Sequence, residues 1–268
     1  MCKVSIISGA YNVEKTIHKS IESILNQTFT DWQFIICDDG SNDNTYNILT
    51  SYKEKYPKKF IIIKNEVNIG LNKTLNKCLK YATGDYIARH DLDDYSHNKR
   101  LEVQFNFLEK YPHIALVGTN MDYSDHLGVW GRSKVKKEPT NLDFIKGTPF
   151  CHATIMIRRS VLEDLNGYSE EDYALRVEDY ELWFRLYSKG YVGRNLEEAL
   201  YTMFDDREAF KRRKLKYRVN EAIVKYKGFK MLKIPAIYYF YTIRPILVGC
   251  LPYPIYKILH RKRLNNKY

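Results

Sequence analysis

Strand-like and helix-like hydrophobic patterns alternate along the first hundred residues of the chain. Short apolar runs typical of buried strands occupy residues 4–8, 32–37, 60–63 and 86–88. Between these runs apolar side chains recur at helical spacing and predict helices, namely the stripe of Ile17, Ile21, Ile24 and Leu25 and segments at about 44–56 and 71–81. Strands that alternate with helices are typical of βαβ units, which build a parallel sheet. The first half therefore predicts an α/β fold.

The pattern is less regular after residue 100. It predicts a helix that starts at Arg100, strands at 114–118 and 153–157, and a helix that starts at Glu178. The last helix carries apolar side chains at helical spacing, namely Leu182, Trp183, Leu186 and Tyr187. Residues 119–148 are polar, so we expect either a loop-rich insertion or a plain surface excursion there.

The composition indicates a folded intracellular protein. A chain of 268 residues with 44% hydrophobic content has room for one large domain and an appendage. Its five cysteines are scattered, odd in number and free of any Cys-x-x-Cys pair, which favours a reduced compartment over a disulfide framework or a zinc site. The first residues lack the features of a secretory signal, so we expect the protein in the cytoplasm.

Positive charge is concentrated towards the end of the chain. From residue 207 onward, 17 Lys and Arg stand against two Glu, whereas the preceding part has 26 Lys and Arg against 30 Asp and Glu. The formal net charge of +11 therefore comes from the last part of the chain. Such a segment suits an anionic partner, either a membrane or a nucleic acid, or a solvated surface.

The residues around these charges favour a membrane surface. Apolar runs at 234–243 and 245–258 follow a basic run at 211–218, and neither is long enough to span a bilayer. They contain Tyr238, Tyr239, Tyr241, Tyr253 and Tyr256. Aromatic rings beside Lys and Arg are typical of segments at the lipid headgroups, so we predict peripheral attachment to anionic lipid. The aliphatic content disfavours nucleic acid, and a tail folded back on the domain is the structural alternative.

Three carboxylates, Asp91, Asp93 and Asp94, lie within four positions after the fourth predicted strand. Like charges this close repel, and a divalent cation with oxygen ligands relieves the repulsion. If the strand continues through Leu92, Asp91 and Asp93 share one face, while His90 points away and is left out of the metal shell. A solvated acidic loop is the alternative. The position past the end of a strand favours a ligand site, because ligands bind there in open α/β sheets.

Several short motifs occur in a fixed order over residues 3–205. They are Tyr11-Asn12-x-Glu14, Asp38-Asp39-Gly40-Ser41, Asn68-x-Gly70-Leu71, Asp91-x-Asp93-Asp94, Arg100-Leu101 and Glu178-Asp179-x-x-Leu182-Trp183. Together they resemble the family 2 glycosyltransferases, and closely the bacterial branch that builds O-antigen and capsule. The resemblance implies an α/β, GT-A fold with a single Rossmann-like mixed sheet flanked by helices.

The same resemblance divides the chain. A GT-A catalytic domain is expected at 1–205, with a nucleotide-sugar half at about 1–100 and an acceptor half at about 101–205. The remainder, 206–268, is expected to be a helical, basic and aromatic extension that associates with an anionic membrane.

The resemblance also implies an activity and its residues. Family 2 enzymes are inverting, and this chain is expected to move a hexose or N-acetylhexosamine from a uridine diphosphate sugar (UDP-sugar) to a hydroxyl of a lipid-linked glycan. By family position, the donor nucleotide lies on Ala10, Tyr11, Glu14, Asp39, Asp91 and Asp93. Within that set Asp39 bonds the uracil, Asp91 is the ribose- and metal-side acid, and Asp93 binds Mg²⁺ or Mn²⁺. Asp179 is similar to the catalytic base.

The acceptor side has alternatives at each residue. Glu178 either raises the pKa of its neighbour by like-charge repulsion or contacts the acceptor, although carboxylates in a first helical turn are also explained by the helix dipole. His152 resembles a position near the acceptor, and Trp183 is a possible stacking platform. A structural role is favoured for both of these residues. For Arg89, pairing with neighbouring acids is favoured over binding phosphate.

Two rival functions share the fold. One is a non-catalytic module that binds a nucleotide-sugar or a membrane, and the other is a nucleotidyltransferase. Intact Asp39, Asp93 and Asp179 argue against the first, and the Glu178-Asp179 helix start favours sugar transfer over the second. No nucleic-acid partner is expected, and the expected location is the cytoplasm, peripheral on the inner face of the cell membrane.

Overall fold

The computed structural model describes residues 2–205 and 214–250. In its first part the elements alternate as predicted. The strands are β1 (Val4–Ala10), β2 (Trp32–Asp38), β3 (Phe60–Lys64), β4 (Tyr86–Arg89) and a short β5 (Tyr95–Ser96). The helices are α1 (Ile17–Leu25), α2 (Thr45–Lys55), α3 (Leu71–Leu79) and α4 (Arg100–Lys110).

The second part contains longer strands and several short helices. The strands are β6 (Ile114–Asp125), β7 (Gly128–Arg132), β8 (Met156–Arg158) and β9 (Val192–Phe204). The α-helices are α5 (Arg159–Asp164), α6 (Glu178–Ser188), α7 (Leu215–Met231) and α8 (Arg244–Gly249). Turns of 3₁₀-helix occur at Asn141–Ile145, His152–Thr154, Asp172–Ala174 and Ala236–Thr242.

The strands of the described residues form one mixed sheet, which confirms the predicted architecture. Their order is β3-β2-β1-β4-β8-β6-β9-β5, and β7 pairs with β6 at the side. β1 pairs in parallel with β2 and with β4, whereas β8 is antiparallel to β4 and β6. The strand order reverses at β1, since β2 lies on one side of it and β4 on the other. Such a reversal opens a crevice at the carboxyl ends of the strands, where ligands bind in open α/β sheets.

Three predictions for the second half were wrong. The supposed loop-rich insertion begins as strand, because β6 runs on to Asp125 and forms a hairpin with β7. β9, with 13 residues, was not predicted. The second part of β6 and much of β9 leave side chains half-exposed, so polar residues interrupt their apolar ones and no apolar run marks these stretches. The strand expected at 153–157 is shifted, since a 3₁₀ turn comes first and β8 starts at Met156.

The core lies on both faces of the sheet. Ile7 belongs to one apolar cluster and its neighbour Ile6 to another, as the alternation of side chains along a strand requires. The C-terminal segment contributes to the first cluster through Phe229 of α7, whose ring contacts Phe184 of α6 at 6.3 Å between centroids. The described part of this segment therefore packs on the sheet domain. The division of the chain at 205 and 206 stays a prediction.

Part of the predicted extension lies outside the described residues, namely 206–213 and 251–268, with Tyr253 and Tyr256. Within the ranges that are described, every helix is too short or too polar to cross a bilayer.

Candidate active site

The crevice at the end of β1 brings together loops from three parallel strands. The backbone N–H of Asp39, just past β2, donates to the carbonyl of Ala10 at 2.7 Å. The loop after β1 is braced in turn by Glu14, whose carboxylate accepts the N–H of Asn44 at 2.9 Å. Ala10 is buried, whereas Tyr11 is 46% exposed. Of these two residues, the tyrosine is therefore the one that is open to a ligand.

Asp39 lies at the floor of the same crevice. Its side chain is buried and accepts the backbone N–H groups of Ile69 at 2.9 Å and Gly70 at 3.0 Å. Gly70 has a φ of 91°, a conformation that favours glycine. The turn before α3 is thus built around this carboxylate.

The acid cluster forms a turn, so the expected continuation of the strand through Leu92 was wrong. β4 ends at Arg89, and the N–H of Asp94 donates to the carbonyl of Asp91 at 3.2 Å. Leu92 is nevertheless buried, while Asp91 is half-buried and Asp93 is exposed. The two acids assigned to the donor and its metal therefore both reach the surface of the crevice.

Asp94 is directed inward and has a structural contact. Its carboxylate accepts the backbone N–H of Phe204, at the end of β9, at 3.0 Å. Burial raises the pKa of Asp94 well above its usual range, and the charges of Asp93 and Asp91 raise it further. The third acid of the cluster therefore joins the acid turn to β9.

Arg89 is a fully buried cation beneath the acid turn. Its guanidinium pairs with the carboxylate of Asp91 and donates to the carbonyl of His90, so the favoured prediction of pairing with acids is confirmed. His90 is also buried, with Nε2 at 2.8 Å from the hydroxyl of Ser20. This contact agrees with leaving the imidazole out of the metal shell.

The other side of the crevice is the start of α6. Glu178 is buried, whereas the adjacent Asp179 is half-buried. Burial, together with the charge of Asp179, raises the pKa of Glu178 to about 7, although Arg89 partly offsets this increase. The two neighbouring carboxylates thus have different environments, which is a common arrangement where one acid must stay ionised and another must hold a proton.

Tyr168 links the two sides. Burial raises the pKa of its phenol, which the carboxylates of Glu178, Asp179 and Asp91 raise further and Arg89 lowers. One buried side chain therefore interacts electrostatically with acids from both sides of the crevice. Tyr168 was not assigned a role from the sequence, because it lies outside the recognised motifs.

The two remaining acceptor candidates differ in accessibility. His152 is half-buried, with Nε2 at 2.9 Å from the hydroxyl of Tyr168, and burial together with the charge of Arg89 lowers its pKa well below the usual value. Trp183 is fully buried and packs edge-on against Phe150 at 5.6 Å between centroids. The indole therefore has a core position, which was the favoured interpretation, and exposes no face on which a sugar could stack.

Two further residues support the acid turn and were not assigned a role from the sequence. Arg100 is buried and donates to the carbonyls of Arg89 at 2.9 Å and Ala153 at 3.1 Å. Tyr201 of β9 accepts the backbone N–H of Asp91 at 3.0 Å and lies under the guanidinium of Arg100. Arg100 stands in a recognised motif, but Tyr201 lies in the strand that no apolar run predicted.

The donor set of the crevice fits a hard cation. Among residues 2–205 and 214–250, no three or more His, Cys, Asp and Glu side chains form a group able to hold a metal by themselves. Asp91 and Asp93 provide two carboxylates within the acid turn, one half-buried and one exposed. Mg²⁺ is usually held by one or two carboxylates and completed by substrate phosphates. The residues present therefore fit a metal that arrives with a diphosphate.

Comparisons with known proteins agree with this geometry. Residues 5–165 match the family model described as Glycosyl transferase family 2. The chain is 43% identical over 265 residues to the putative glycosyltransferase EpsE of Bacillus subtilis, covering 99% of this chain and 95% of that protein. It is 32% identical over 196 residues to the UDP-Glc:alpha-D-GlcNAc-diphosphoundecaprenol beta-1,3-glucosyltransferase WfaP of Escherichia coli, covering 72% of this chain and 73% of that one.

Solved structures show the same fold. Residues 1–349 of TarS from S. aureus, in complex with UDP-GlcNAc, superpose with a TM-score of 0.68 at 18% identity, covering 99% of this chain and 93% of that one. This likeness confirms the GT-A fold that the motifs implied.

Proposed function

Because the chain belongs to glycosyl transferase family 2, we propose that it moves a hexose or N-acetylhexosamine from a UDP-sugar to a hydroxyl of a lipid-linked glycan, with inversion at the anomeric carbon. The carrying observation is the crevice in which the acid turn at Asp91 and Asp93 lies across from the Glu178-Asp179 helix start, with Arg89 and Tyr168 between them. A role in polysaccharide synthesis follows from relatives that are glycosyltransferases of such pathways.

The donor assignment is supported by chemistry and by neighbours. TarS has been solved with UDP and with UDP-GlcNAc, and WfaP is named for UDP-Glc. In this chain the exposed ring of Tyr11 offers a stacking surface at the end of β1, and Asp39 offers a carboxylate acceptor beside it. Ala10 and Glu14 shape and brace that loop. These residues form the bed of the nucleotide.

Asp93, with Asp91, would hold Mg²⁺ or Mn²⁺. A divalent ion supplies charge stabilisation to a departing diphosphate. Asp93 is the exposed member of the pair, whereas Asp91 is already bound on one side by Arg89. The protein therefore offers the donor one exposed carboxylate and one that is paired with Arg89.

Asp179 acts as the base in this proposal. A direct displacement needs a base on the face opposite the leaving diphosphate, within hydrogen-bond reach of the attacking hydroxyl. Asp179 is half-buried at the start of α6, so an acceptor can approach it, while Glu178 lies behind it in the protein. Glu178 and His152 then contact or orient the acceptor sugar.

A membrane-facing surface completes the proposal. Four exposed apolar side chains lie between residues 236 and 249, and we name them the apolar stripe: Ile237 (74% exposed), Phe240 (62%), Ile243 (54%) and Leu247 (63%). The first three are spaced by three residues along a 3₁₀ turn, which places them on one side. Exposed Lys233 and Arg244 lie next to them in the chain. Apolar side chains flanked by cations suit an anionic bilayer, so the enzyme is peripheral on the inner face of the membrane through 206–268.

Two substitutions test the catalytic assignment. Asp93→Ala is expected to abolish metal-dependent turnover of the donor, and Asp179→Asn is expected to keep donor binding while lowering transfer by about 10²-fold or more. The protein is first screened by thermal unfolding against a panel of nucleotide sugars with Mg²⁺ or Mn²⁺, since any bound donor raises the transition temperature. Transfer is then measured with a polyprenyl-diphosphate-linked N-acetylglucosamine as acceptor probe.

The control is Asp85→Ala, which removes an exposed carboxylate that is paired with Lys3 at the opposite end of β4. This variant should behave as the wild type. A fully active Asp179→Asn protein would refute the base assignment, and a wild type that binds nucleotide sugars but turns none over would support a non-catalytic module.

A further inference from the structure

The Asp39 carboxylate accepts three hydrogen bonds from the protein itself. In addition to the two backbone N–H groups before α3, it accepts a bond from the side-chain amide of Asn65 at 2.8 Å. Oδ1 takes the bonds from Asn65 and Ile69, and Oδ2 takes the one from Gly70. A carboxylate oxygen has two lone pairs, so accepting capacity remains on Oδ2.

Asn65 is itself fixed in a single orientation. It is 3% exposed, and its backbone N–H donates to the carbonyl of Asp38 at 2.8 Å. Its amide oxygen accepts a bond from Nζ of Lys77 at 2.6 Å, and its amide nitrogen also donates to the hydroxyl of Thr74 at 3.2 Å. An ammonium group is only a donor, so Lys77 can bond the oxygen of the amide but not the nitrogen.

The direction of these bonds has a chemical consequence. Lys77 holds the amide oxygen on its own side, which leaves the N–H₂ group on the side of Asp39 and Thr74. Every partner of the Asp39 carboxylate is then a donor, and the carboxylate is kept as a pure acceptor. If the amide turned over, its oxygen would face the carboxylate and repel it.

We propose that Lys77 and Asn65 are positioning residues that determine nucleobase specificity by keeping Asp39 a hydrogen-bond acceptor in a fixed orientation. The inference rests on the proposed function, which places the nucleobase of the UDP-sugar at Asp39. A nucleobase that presents an N–H at this edge, such as N3–H of uracil, donates a further hydrogen bond to Oδ2. Cytosine presents a lone pair at N3, so it is rejected by repulsion as well as by loss of a bond.

The position of the two residues supports the assignment. Lys77 lies on α3 and Asn65 directly follows β3, so both are anchored on regular elements that flank the crevice. Thr74 and Asn65 are buried, which excludes water as a replacement partner for the amide. A buried polar group without a partner costs free energy. This cost lets the site discriminate between nucleobases that donate a hydrogen bond at this edge and nucleobases that accept one.

The test uses the full chain and measures affinities for UDP, CDP and GDP by titration calorimetry in the presence of Mn²⁺. Lys77→Met keeps the length of the side chain and removes the donor that fixes Asn65. We expect it to weaken UDP binding about tenfold and to leave CDP binding unchanged, because the loss of one bond to a charged group has about this size. Lys80→Met is the matched control, since it removes the same charge from an exposed site just past α3 and should keep the UDP-to-CDP ratio.

A second variant guards against a purely structural effect. Asn65→Asp has the same shape but places a carboxylate opposite Asp39, so it should lower the UDP-to-CDP ratio at least as much as Lys77→Met. A wild-type ratio in both variants would overturn the inference.

The outcome for the wild type separates this inference from the proposed function. Preference for GDP, with the preference over CDP lost in Lys77→Met, would contradict a UDP-sugar donor but support the role of Lys77, because guanine also presents an N–H. Binding of none of the three nucleotides would overturn both.

Discussion

Two adjacent carboxylates at the start of α6 differ in how deeply they are buried. Glu178 and Asp179 follow each other in the sequence, yet the first helical turn directs Glu178 towards the protein and leaves Asp179 at the crevice. An acid with a pKa of about 7 is half-protonated in neutral solution. Glu178 can therefore hold a proton in the protein interior, next to the carboxylate of Asp179 that faces the crevice.

This difference predicts a dependence of stability on pH. Because the folded-state pKa of Glu178 is raised from 4.5 to about 7, the native state binds the proton more tightly than the unfolded state does. Stability from this group is present below pH 4.5 and is lost as the pH rises to 7, by about 3 kcal/mol in total. Glu178→Gln should remove this loss, measured as the free energy of unfolding in urea at pH 5 and pH 8.

The exposed Glu171→Gln serves as the comparison, since its pH dependence should equal that of the wild type. If Glu178→Gln kept the full decline in stability between the two pH values, the buried acid would not be its source.

The positions of the motif residues at the ends of strands were predictable from the sequence, whereas their roles stay a prediction. The crevice holds Tyr11, Asp39, Asp91 and Asp93 at the ends of strands, where the βαβ pattern predicted ligand-binding loops. Their partners could not be predicted in the same way. Tyr168 and Tyr201 come from distant positions in the chain, and their contacts depend on how the antiparallel half folds over the parallel half.

At the scale of elements, strands buried on both faces were predictable and half-exposed strands were not. β1 and β2 are almost entirely buried, so apolar side chains predominate in each. β6 and β9 carry exposed or half-exposed side chains over their second halves, and their polar residues looked like loop. The acid turn was predicted to continue the strand for a related reason. Less buried and buried side chains still alternate from Asp91 to Asp94, although β4 ends at Arg89 and the backbone hydrogen bond from Asp94 to Asp91 closes a turn.

The contact between α6 and α7 gives a prediction at this scale. Gly228 of α7 lies directly against the ring of Phe184, and a Cβ added at this position would overlap it. Gly→Ala in an exposed helix normally stabilises a protein, by about 0.5–1 kcal/mol. Here Gly228→Ala should instead destabilise it by about 1–3 kcal/mol through overpacking, measured by thermal unfolding.

The sign of the change makes this test informative. Lys216→Ala, at an exposed position of the same helix, should change the free energy of unfolding by less than about 0.5 kcal/mol. A stabilised Gly228→Ala protein would mean that α7 does not pack against α6 in solution.

At the scale of the whole molecule, charge and apolar surface are concentrated at one end of the sequence. The sheet domain carries nearly balanced charge, whereas the residues after 206 carry most of the net positive charge. α7 buries one side against α6, and the apolar stripe that follows it remains exposed. Under the proposed function this separation would be useful, because attachment to the bilayer would raise the local concentration of a lipid-linked acceptor.

The apolar stripe therefore predicts binding to anionic vesicles. Full-length protein should sediment with vesicles that contain phosphatidylglycerol, less so as salt is raised, and only weakly with phosphatidylcholine alone. Phe240→Ser should reduce the partition coefficient by about tenfold, since burial of one Phe side chain contributes about 1.5–3 kcal/mol. The matched control is Leu127→Ser, which removes a 93% exposed apolar side chain from the turn between β6 and β7. Equal recovery with both lipids, or equal loss in both variants, would contradict a specific membrane-facing role for the stripe.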